Sequence, residues 1–325
     1  MRKYLEKIDV DKEGTAFCGS VLMENSSVNL FHPFRFFPSQ IEYLKTVSKE
    51  HRAIATSGIS IKFSTNASII SFDTNVVYGF TNKDPAYTLV DRGQGNDDIK
   101  NNSIYDGIDL LVDGEYIRTY NPSLNHIEIH FKPEEKYLWR NVCIALPYIM
   151  SVNIGNFKCN GEFVPKPRSG TMLALGDSIT QGFFAGCPSA SYPERLAQGL
   201  GVDLINQAIA GYGFDKNTLC SLEELQDTVK IILIAYGTND WSHKLSADSI
   251  ASDAYDYLNE VARIFPTIPT FVVSPIWRAD ERKTVPSGKS FCWLAEMLSD
   301  ACKAFPEMRF IDGYNIVPHD TIFFA

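Results

Sequence analysis

The chain has 325 residues, of which 45% are apolar and 21% are charged, as in globular proteins large enough for two domains with their own cores. Its formal net charge of −9, with no segment that gathers lysine and arginine, argues against a nucleic-acid partner. No apolar run reaches membrane-spanning length and the N-terminus has no apolar signal core, so no membrane partner is expected. The seven cysteines form no Cys-x-x-Cys pair, which favours reduced thiols and a cytoplasmic location.

The first half of the chain, from about residue 21 to 163, has the pattern of short antiparallel strands. Polar and apolar residues alternate with a period of two, and turn pairs such as Asp113-Gly114 and Asn160-Gly161 separate the segments. This pattern predicts a β-sandwich domain over residues 1–168. The clearest alternating segments are 58–64, 67–73, 108–113 and 126–131.

One of these segments carries a possible metal site. His126, Glu128 and His130 lie two residues apart, so their side chains share one face of the predicted strand. Such a trio is more often the solvated face of a sandwich strand. We therefore expect no metal site, and nothing in the sequence predicts an organic cofactor.

After a proline-containing linker at residues 164–170, the pattern changes to strands alternating with helices. Two predicted helices have one apolar face each. This alternation predicts βαβ crossovers and a parallel sheet over residues 169–325. The residues that share these faces are Tyr192, Leu196 and Leu200 in one helix, and Ile250, Ala254, Tyr257, Val261 and Ile264 in the other.

Four apolar runs in this second half are each followed by a short motif. Because the carboxyl ends of parallel strands meet at one edge of a sheet, the four motifs are predicted to converge in one crevice. A serine, a glycine and an asparagine brought together there suit acyl transfer. The runs are Met172–Leu175, Val202–Ile205, Ile231–Tyr236 and Phe271–Val273, and the motifs are Gly-Asp-Ser-Ile-Thr (176–180), Asn-Gln-Ala-Ile-Ala-Gly (206–211), Gly-Thr-Asn-Asp (237–240) and Ser-Pro-Ile-Trp-Arg (274–278).

Each of these residues has a chemical and a purely structural interpretation. Ser178, at the start of a helix, suits a nucleophile whose own N–H helps to hold an oxyanion, but Ser178 or Asp177 could merely cap that helix. Gly211 lets a backbone N–H approach a substrate oxygen, or it is an ordinary turn glycine. The Asn239 amide is a third oxyanion donor or part of an Asx turn. Their joint occurrence at successive strand ends favours the chemical interpretation.

Residues 171–278 resemble the SGNH (GDSL-type) hydrolase family, through Gly-Asp-Ser-Ile-Thr, Gly211 and Gly237-Thr-Asn-Asp. The resemblance implies a flavodoxin-like three-layer α/β domain that hydrolyses esters. By the same resemblance Ser178 is the nucleophile, and the oxyanion hole consists of the Ser178 N–H, the Gly211 N–H and the Asn239 side chain. Gly107-Ile-Asp-Leu-Leu resembles the Gly-x-Asp-Leu-Tyr signature of a sandwich that precedes some esterases, but its last position departs from it.

Family members with this sandwich resemble carbohydrate esterases, so the expected substrate is a small O-acyl ester, mainly acetyl, on a carbohydrate. The substrate pocket is expected to include Asp177, Trp241, Trp277 and Arg278, of which the last three lie just past strand ends. Two other functions stay open. The chain could be a glycan-binding protein without activity, or an acyltransferase that uses the same serine.

The family's fourth motif, Asp-x-x-His-Pro, supplies the base and its orienting carboxylate, and it does not occur in residues 1–325. The segment from Phe310 to Ala325 resembles the part that normally precedes this motif. We therefore expect the chain to be a C-terminally truncated version with little activity. His319, which has Asp312 and Asp320 nearby in the sequence, is the alternative base, although the order Pro-His-Asp is not the family's.

Overall fold

A computed structural model describes residues 5–8, 14–27, 30–78, 87–89, 104–132, 138–166, 170–243 and 246–321. The chain divides into two compact units. The first unit consists of Met1–Phe37, His51–Ser169 and Gly182–Asn206, and the second of Pro38–Glu50, Gly170–Gln181 and Gln207–Ala325. Both units contain residues from either side of the predicted domain boundary at 168/169, and that boundary stays a prediction. Residues 167–169 of the predicted linker lie outside the described part.

The first unit is a β-sandwich of two antiparallel sheets. Its strands are β1 (Glu6–Lys7), β2 (Phe17–Cys18), β3 (Leu22–Ser27), β4 (Leu30–Phe34), β5 (Ser60–Thr65), β6 (Ile69–Tyr78), β7 (Tyr87–Leu89), β8 (Ile104–Asp106), β9 (Ile108–Val112), β10 (Glu115–Tyr120), β11 (His126–His130), β12 (Arg140–Ala145), β13 (Ser151–Cys159) and β14 (Phe163–Pro165). In one sheet the strand order is β11-β6-β13-β4-β3, with β1 beside β13; in the other it is β10-β9-β12-β5-β14, with β2 beside β5. β7 and β8 form a separate parallel pair.

The predicted alternation is clearest in β11, which has one face in the sandwich core. In β11, Ile127 and Ile129 are buried while the histidines and Glu128 between them are exposed. The predicted hairpin at Asp113-Gly114 joins β9 to β10, and both residues have positive φ (51° and 89°), as a two-residue hairpin turn requires. The four segments chosen from the sequence correspond to β5, β6, β9 and β11.

The predicted parallel sheet lies in the second unit. Its strands β15 (Thr171–Gly176), β17 (Val229–Ala235), β18 (Thr270–Val273) and β19 (Met308–Ile311) follow one another in that spatial order, each parallel to the next. All six residues of β15 are buried, as expected for the inner strand of an α/β sheet. The predicted strand at 202–205 is observed as β16 (Asp203–Asn206).

Both helices predicted from apolar faces are present, but only one of the two predicted faces is buried. The face of Ile250 and its partners in the helix Ala247–Ile264 is buried. The face of Tyr192, Leu196 and Leu200 is exposed, because the helix Tyr192–Leu200 buries Pro193 and Ala197 instead. Within the described ranges, no helix is long and apolar enough to cross a membrane.

The α-helices of the described ranges include α1 (Pro38–Thr46), α2 (Glu50–Ala53), α3 (Ser178–Gln181), α4 (Tyr192–Leu200), α5 (Thr238–His243), α6 (Ala247–Ile264) and α7 (Trp293–Cys302). Short 3₁₀ turns occur at Pro122–Leu124, Pro188–Ala190, Lys216–Leu219, Leu222–Leu225 and Gly313–Asn315. Helix α1 lies among the sandwich strands in the sequence, and no pattern there indicates that it belongs to the second unit.

Candidate active site

Ser178 is the first residue of α3, directly after the end of β15. Gly176 must be a glycine, because a Cβ there would collide with the Thr180 hydroxyl and lie 2.8 Å from the Ala235 carbonyl oxygen. Asp177 caps the helix, since its Oδ1 accepts a hydrogen bond from the Ile179 amide (3.0 Å). The sharp bend and the cap place the half-buried Ser178 at the carboxyl edge of the sheet.

Gly211 lies in a turn that contacts both β15 and α3. We call residues 209–212 the oxyanion loop. The Ile209 amide donates to the Gly176 carbonyl oxygen (2.8 Å), and the Ala210 amide donates to Gln181 Oε1 (2.8 Å). The Tyr212 amide closes the turn on the Ile209 carbonyl oxygen (3.2 Å), and Gly211 has φ +70° at the third position. A positive φ at that position favours glycine, so the turn interpretation of Gly211 holds as well.

Asn239 reaches the same edge from the neighbouring strand. It is the second residue of α5, which follows β17, and Ala235 of β17 lies opposite Gly176 of β15. Its Nδ2 donates a hydrogen bond to the Tyr212 carbonyl oxygen (2.8 Å). A side-chain amide has two hydrogens, so this bond leaves Asn239 one more to donate. The structure thus brings together the segments of Ser178, Gly211 and Asn239.

Two buried carboxylates, Asp177 and Asp240, directly neighbour Ser178 and Asn239 in the sequence. Burial raises the pKa of the Asp177 carboxyl to about 7; its bond from the Ile179 amide opposes the shift, and the negative charge of Asp240 adds to it. Asp240 Oδ1 accepts from the Phe214 amide (3.1 Å), and a Cβ on Gly213 would collide with this carboxylate. Asp240 was not among the predicted site residues, although it ends the Gly-Thr-Asn-Asp motif.

Residues 174–321 match the model of the GDSL-like lipase/acylhydrolase family. The matched part of the chain contains Ser178, Gly211 and Asn239. No curated protein matches the sequence.

Solved structures with little sequence identity share the fold. The salicylyl-acyltransferase SsfX3 from a tetracycline biosynthetic pathway superposes with a TM-score of 0.72 at 13% identity, over 93% of this chain and 84% of that one. A family two carbohydrate esterase from Cellvibrio japonicus gives 0.61 at 13% identity (95% and 88%). Another, from Clostridium thermocellum with cellohexaose, gives 0.59 at 13% identity (91% and 88%). The predicted fold class, a flavodoxin-like three-layer α/β domain preceded by a β-sandwich, is confirmed.

The side chains predicted to line the pocket make contacts within the protein. Trp241 is fully buried, donates from Nε1 to the Lys289 carbonyl oxygen (2.8 Å) and packs edge-on against Phe291. The Arg278 guanidinium forms a two-bond ion pair with Asp280 and lies 5.5 Å from the Trp241 ring. With Asp177 occupied as a helix cap, the substrate contacts of Asp177, Trp241 and Arg278 stay predictions.

Trp277 and His319 form a stacked pair in the second unit. Their ring centroids are 5.5 Å apart and their planes differ by 10°. His319 is exposed, and its Nε2 lies 2.8 Å from the Tyr314 carbonyl oxygen. A ring nitrogen that faces a carbonyl oxygen must carry the hydrogen. In neutral His319, therefore, Nδ1 is the atom able to accept a proton.

Proposed function

We propose that the chain is a serine esterase that hydrolyses small O-acyl esters, mainly acetyl, on carbohydrates, with Ser178 as the nucleophile. The observation that carries this proposal is the pair of hydrogen bonds through the oxyanion loop. Ile209 bonds to the end of β15 beside Ser178, and Tyr212 bonds to Asn239. One substrate carbonyl could therefore meet a hydroxyl and several N–H donors at the same edge of the sheet.

The reaction would proceed through an acyl-enzyme. The Ser178 oxygen bonds to the acyl carbon, and the negative charge moves to the carbonyl oxygen, which accepts from the Ser178 N–H, the Gly211 N–H and the second hydrogen of Asn239 Nδ2. The ester C–O bond then breaks, and the proton of Ser178 passes through a base to the departing alcohol. Water repeats these steps on the acyl-enzyme and releases the acid. His319 Nδ1 is the candidate base within this chain.

The carbohydrate part of the proposal is supported by the shared fold with two family two carbohydrate esterases, one of them solved with cellohexaose. The acidic net charge of −9 suits a neutral substrate better than an anionic one. We therefore place the substrate among neutral acetylated sugars, and we propose a cytoplasmic location.

Ester hydrolysis by the purified chain tests the proposal, with p-nitrophenyl acetate and an acetylated xylo-oligosaccharide as substrates. Ser178→Ala should abolish the activity, whereas Ser252→Ala, which changes an exposed serine of α6, should leave it unchanged. A rate equal to that of Ser178→Ala, both in this chain and in a version extended through an Asp-x-x-His segment, would refute the hydrolase proposal. Calorimetry with the unacetylated oligosaccharide would then test the glycan-binding alternative.

His319→Ala tests the base in the same assay. If His319 accepts the serine proton, its removal should lower kcat by about four powers of ten. An active chain that His319→Ala leaves unchanged would show that another group accepts the proton.

An acyltransferase is the second candidate, favoured by the TM-score of 0.72 to the salicylyl-acyltransferase. It would form the same acyl-enzyme at Ser178 but pass the acyl group to a hydroxyl of an acceptor instead of water. Product analysis with a sugar acceptor present separates the two. Acylated sugar formed in excess of free acid identifies a transferase, and free acid alone identifies a hydrolase.

A further inference from the structure

Helix α1 lies among the sandwich strands in the sequence but contacts residues on both sides of the oxyanion loop. Gln40 of α1 and Gln207 exchange two side-chain hydrogen bonds (2.9 and 3.1 Å), and Gln40 also donates to the Thr218 carbonyl oxygen (2.7 Å). Both glutamine side chains are buried. Breaking such buried bonds leaves unpaired polar groups, which is costly, so this contact holds α1 in one position.

A second contact from α1 reaches the oxyanion loop itself. The hydroxyls of Tyr43 and Tyr212 both donate to Asp215 Oδ2, each over 2.5 Å. Asp215 Oδ1 accepts from the backbone and side-chain amides of Asn217 (3.0 and 2.9 Å). The carboxylate with its four donors therefore fixes the ring of Tyr212, the residue after Gly211. Burial, reinforced by the Asp215 carboxylate, raises the pKa of both tyrosines, so both keep their hydrogens near neutral pH.

The backbone on both sides of Tyr212 is held as well. Lys49, three residues beyond the end of α1, donates from Nζ to the Gly211 carbonyl oxygen (3.2 Å). Asn239 donates to the Tyr212 carbonyl oxygen. With the Tyr212 side chain bonded to Asp215, a shift of this residue would disturb the Gly211 turn and the Asn239 amide together.

We propose that Tyr43 and Asp215 are positioning residues for the oxyanion hole. They act through Tyr212 on the Gly211 turn and on Asn239, and they do not touch the substrate. Oxyanion donors act because they are fixed before the reaction, and a displacement of about 1 Å can cost about 100-fold in rate. This inference rests on the proposed function, since it assigns Gly211 and Asn239 the role of donors.

The kinetic test uses Tyr43→Phe and Asp215→Asn in the full chain, with p-nitrophenyl acetate as substrate. We expect kcat to fall about 10-fold in Tyr43→Phe and about 10- to 100-fold in Asp215→Asn, with KM within about twofold of wild type. The matched control is Tyr255→Phe, which removes the hydroxyl of an exposed tyrosine on α6 and should leave both constants unchanged. The melting temperatures of all variants are compared, so that a general loss of folding is recognised.

Two kinetic outcomes would overturn the inference. An unchanged kcat in both variants would show that the network does not position the donors. Tyr43, Tyr212 and Asp215 also line a cavity of about 430 Å³. A raised KM with unchanged kcat would therefore show that Tyr43 or Asp215 contacts the substrate there instead.

Hydrogen exchange of residues 209–212, followed by mass spectrometry, tests the same inference without catalysis. Exchange should accelerate in Tyr43→Phe and not in Tyr255→Phe. If neither the wild-type chain nor a version extended through an Asp-x-x-His segment hydrolyses an ester, the proposed function fails, and exchange alone decides the inference. Unchanged exchange in Tyr43→Phe would then overturn it.

Discussion

The buried carboxyl of Asp177 should make the second unit less stable as the pH rises. Its side chain is only 4% exposed, and burial raises its pKa to about 7, whereas an unfolded aspartate has a pKa near 3.9. Between about pH 4 and 7 the folded unit therefore keeps a proton that the unfolded chain has lost. By linkage the free energy of unfolding falls across this range and levels off above it.

Asp177→Asn removes the ionisation but keeps an oxygen that can accept from the Ile179 amide. A shift of about 3 pKa units at about 1.4 kcal/mol each corresponds to at most about 4 kcal/mol. The variant should match wild type near pH 4 and gain stability over it up to about pH 7. Because Asp240 adds to the shift, Asp240→Asn should lower the pH at which this difference stops growing, and so reduce its size.

Urea unfolding followed by tryptophan fluorescence measures this difference at each pH. Three of the four tryptophans, Trp241, Trp277 and Trp293, lie in the second unit. Trp139→Phe, introduced into both the parent and the Asp177→Asn variant, removes the fourth tryptophan, so the fluorescence reports on the second unit alone. This matters because a chain of two units need not unfold in one step. A difference between Asp177→Asn and its parent that stays constant from pH 4 to 8 would refute the reasoning.

Three further substitutions test the site and its surroundings. Asn239→Ala should lower kcat by about 100- to 1000-fold with little change in KM, because the oxyanion forms only near the transition state; steady-state kinetics showing unchanged kcat would make Asn239 structural. Gly176→Ala should destabilise the second unit by about 1–3 kcal/mol in urea unfolding, since its Cβ would collide with the Thr180 hydroxyl. Trp241→Ala should cost about 3–5 kcal/mol by the same measurement, because the ring is fully buried. Unchanged stability with a raised KM would instead support the predicted pocket role of Trp241.

The sheet and the position of its motifs could be predicted because the signals are local. A strand shows its pattern over five or six residues, a continuous apolar run in β15 and alternation in β11. A motif at the end of a strand follows directly in the sequence. The rule that parallel strands open onto one edge then places Ser178 and Asn239 together without further information. The same local signals predicted α6, whose apolar face is buried.

The contacts of α1 could not be predicted, because they join residues far apart in the sequence. Tyr43 and Asp215 are 172 positions apart, and no periodicity or motif relates them. The buried face of α4 could not be predicted either, although its residues lie close together in the sequence. Its spacing predicts a helix correctly, but the pattern cannot show that Pro193 and Ala197, not Leu196, are buried.

The structural and chemical interpretations of the site residues describe the same geometry. Asp177 is a helix cap, and that cap fixes the first residue of α3, which is Ser178. Gly211 is a turn glycine, and the turn is what bonds to the end of β15 beside Ser178. Asn239 bonds to the backbone of that turn with one amide hydrogen and has a second to donate. In the proposed function, Asn239 therefore both holds the oxyanion loop in place and donates to the substrate. Its substitution should change stability and rate together, and only the separate measurement of each assigns its role.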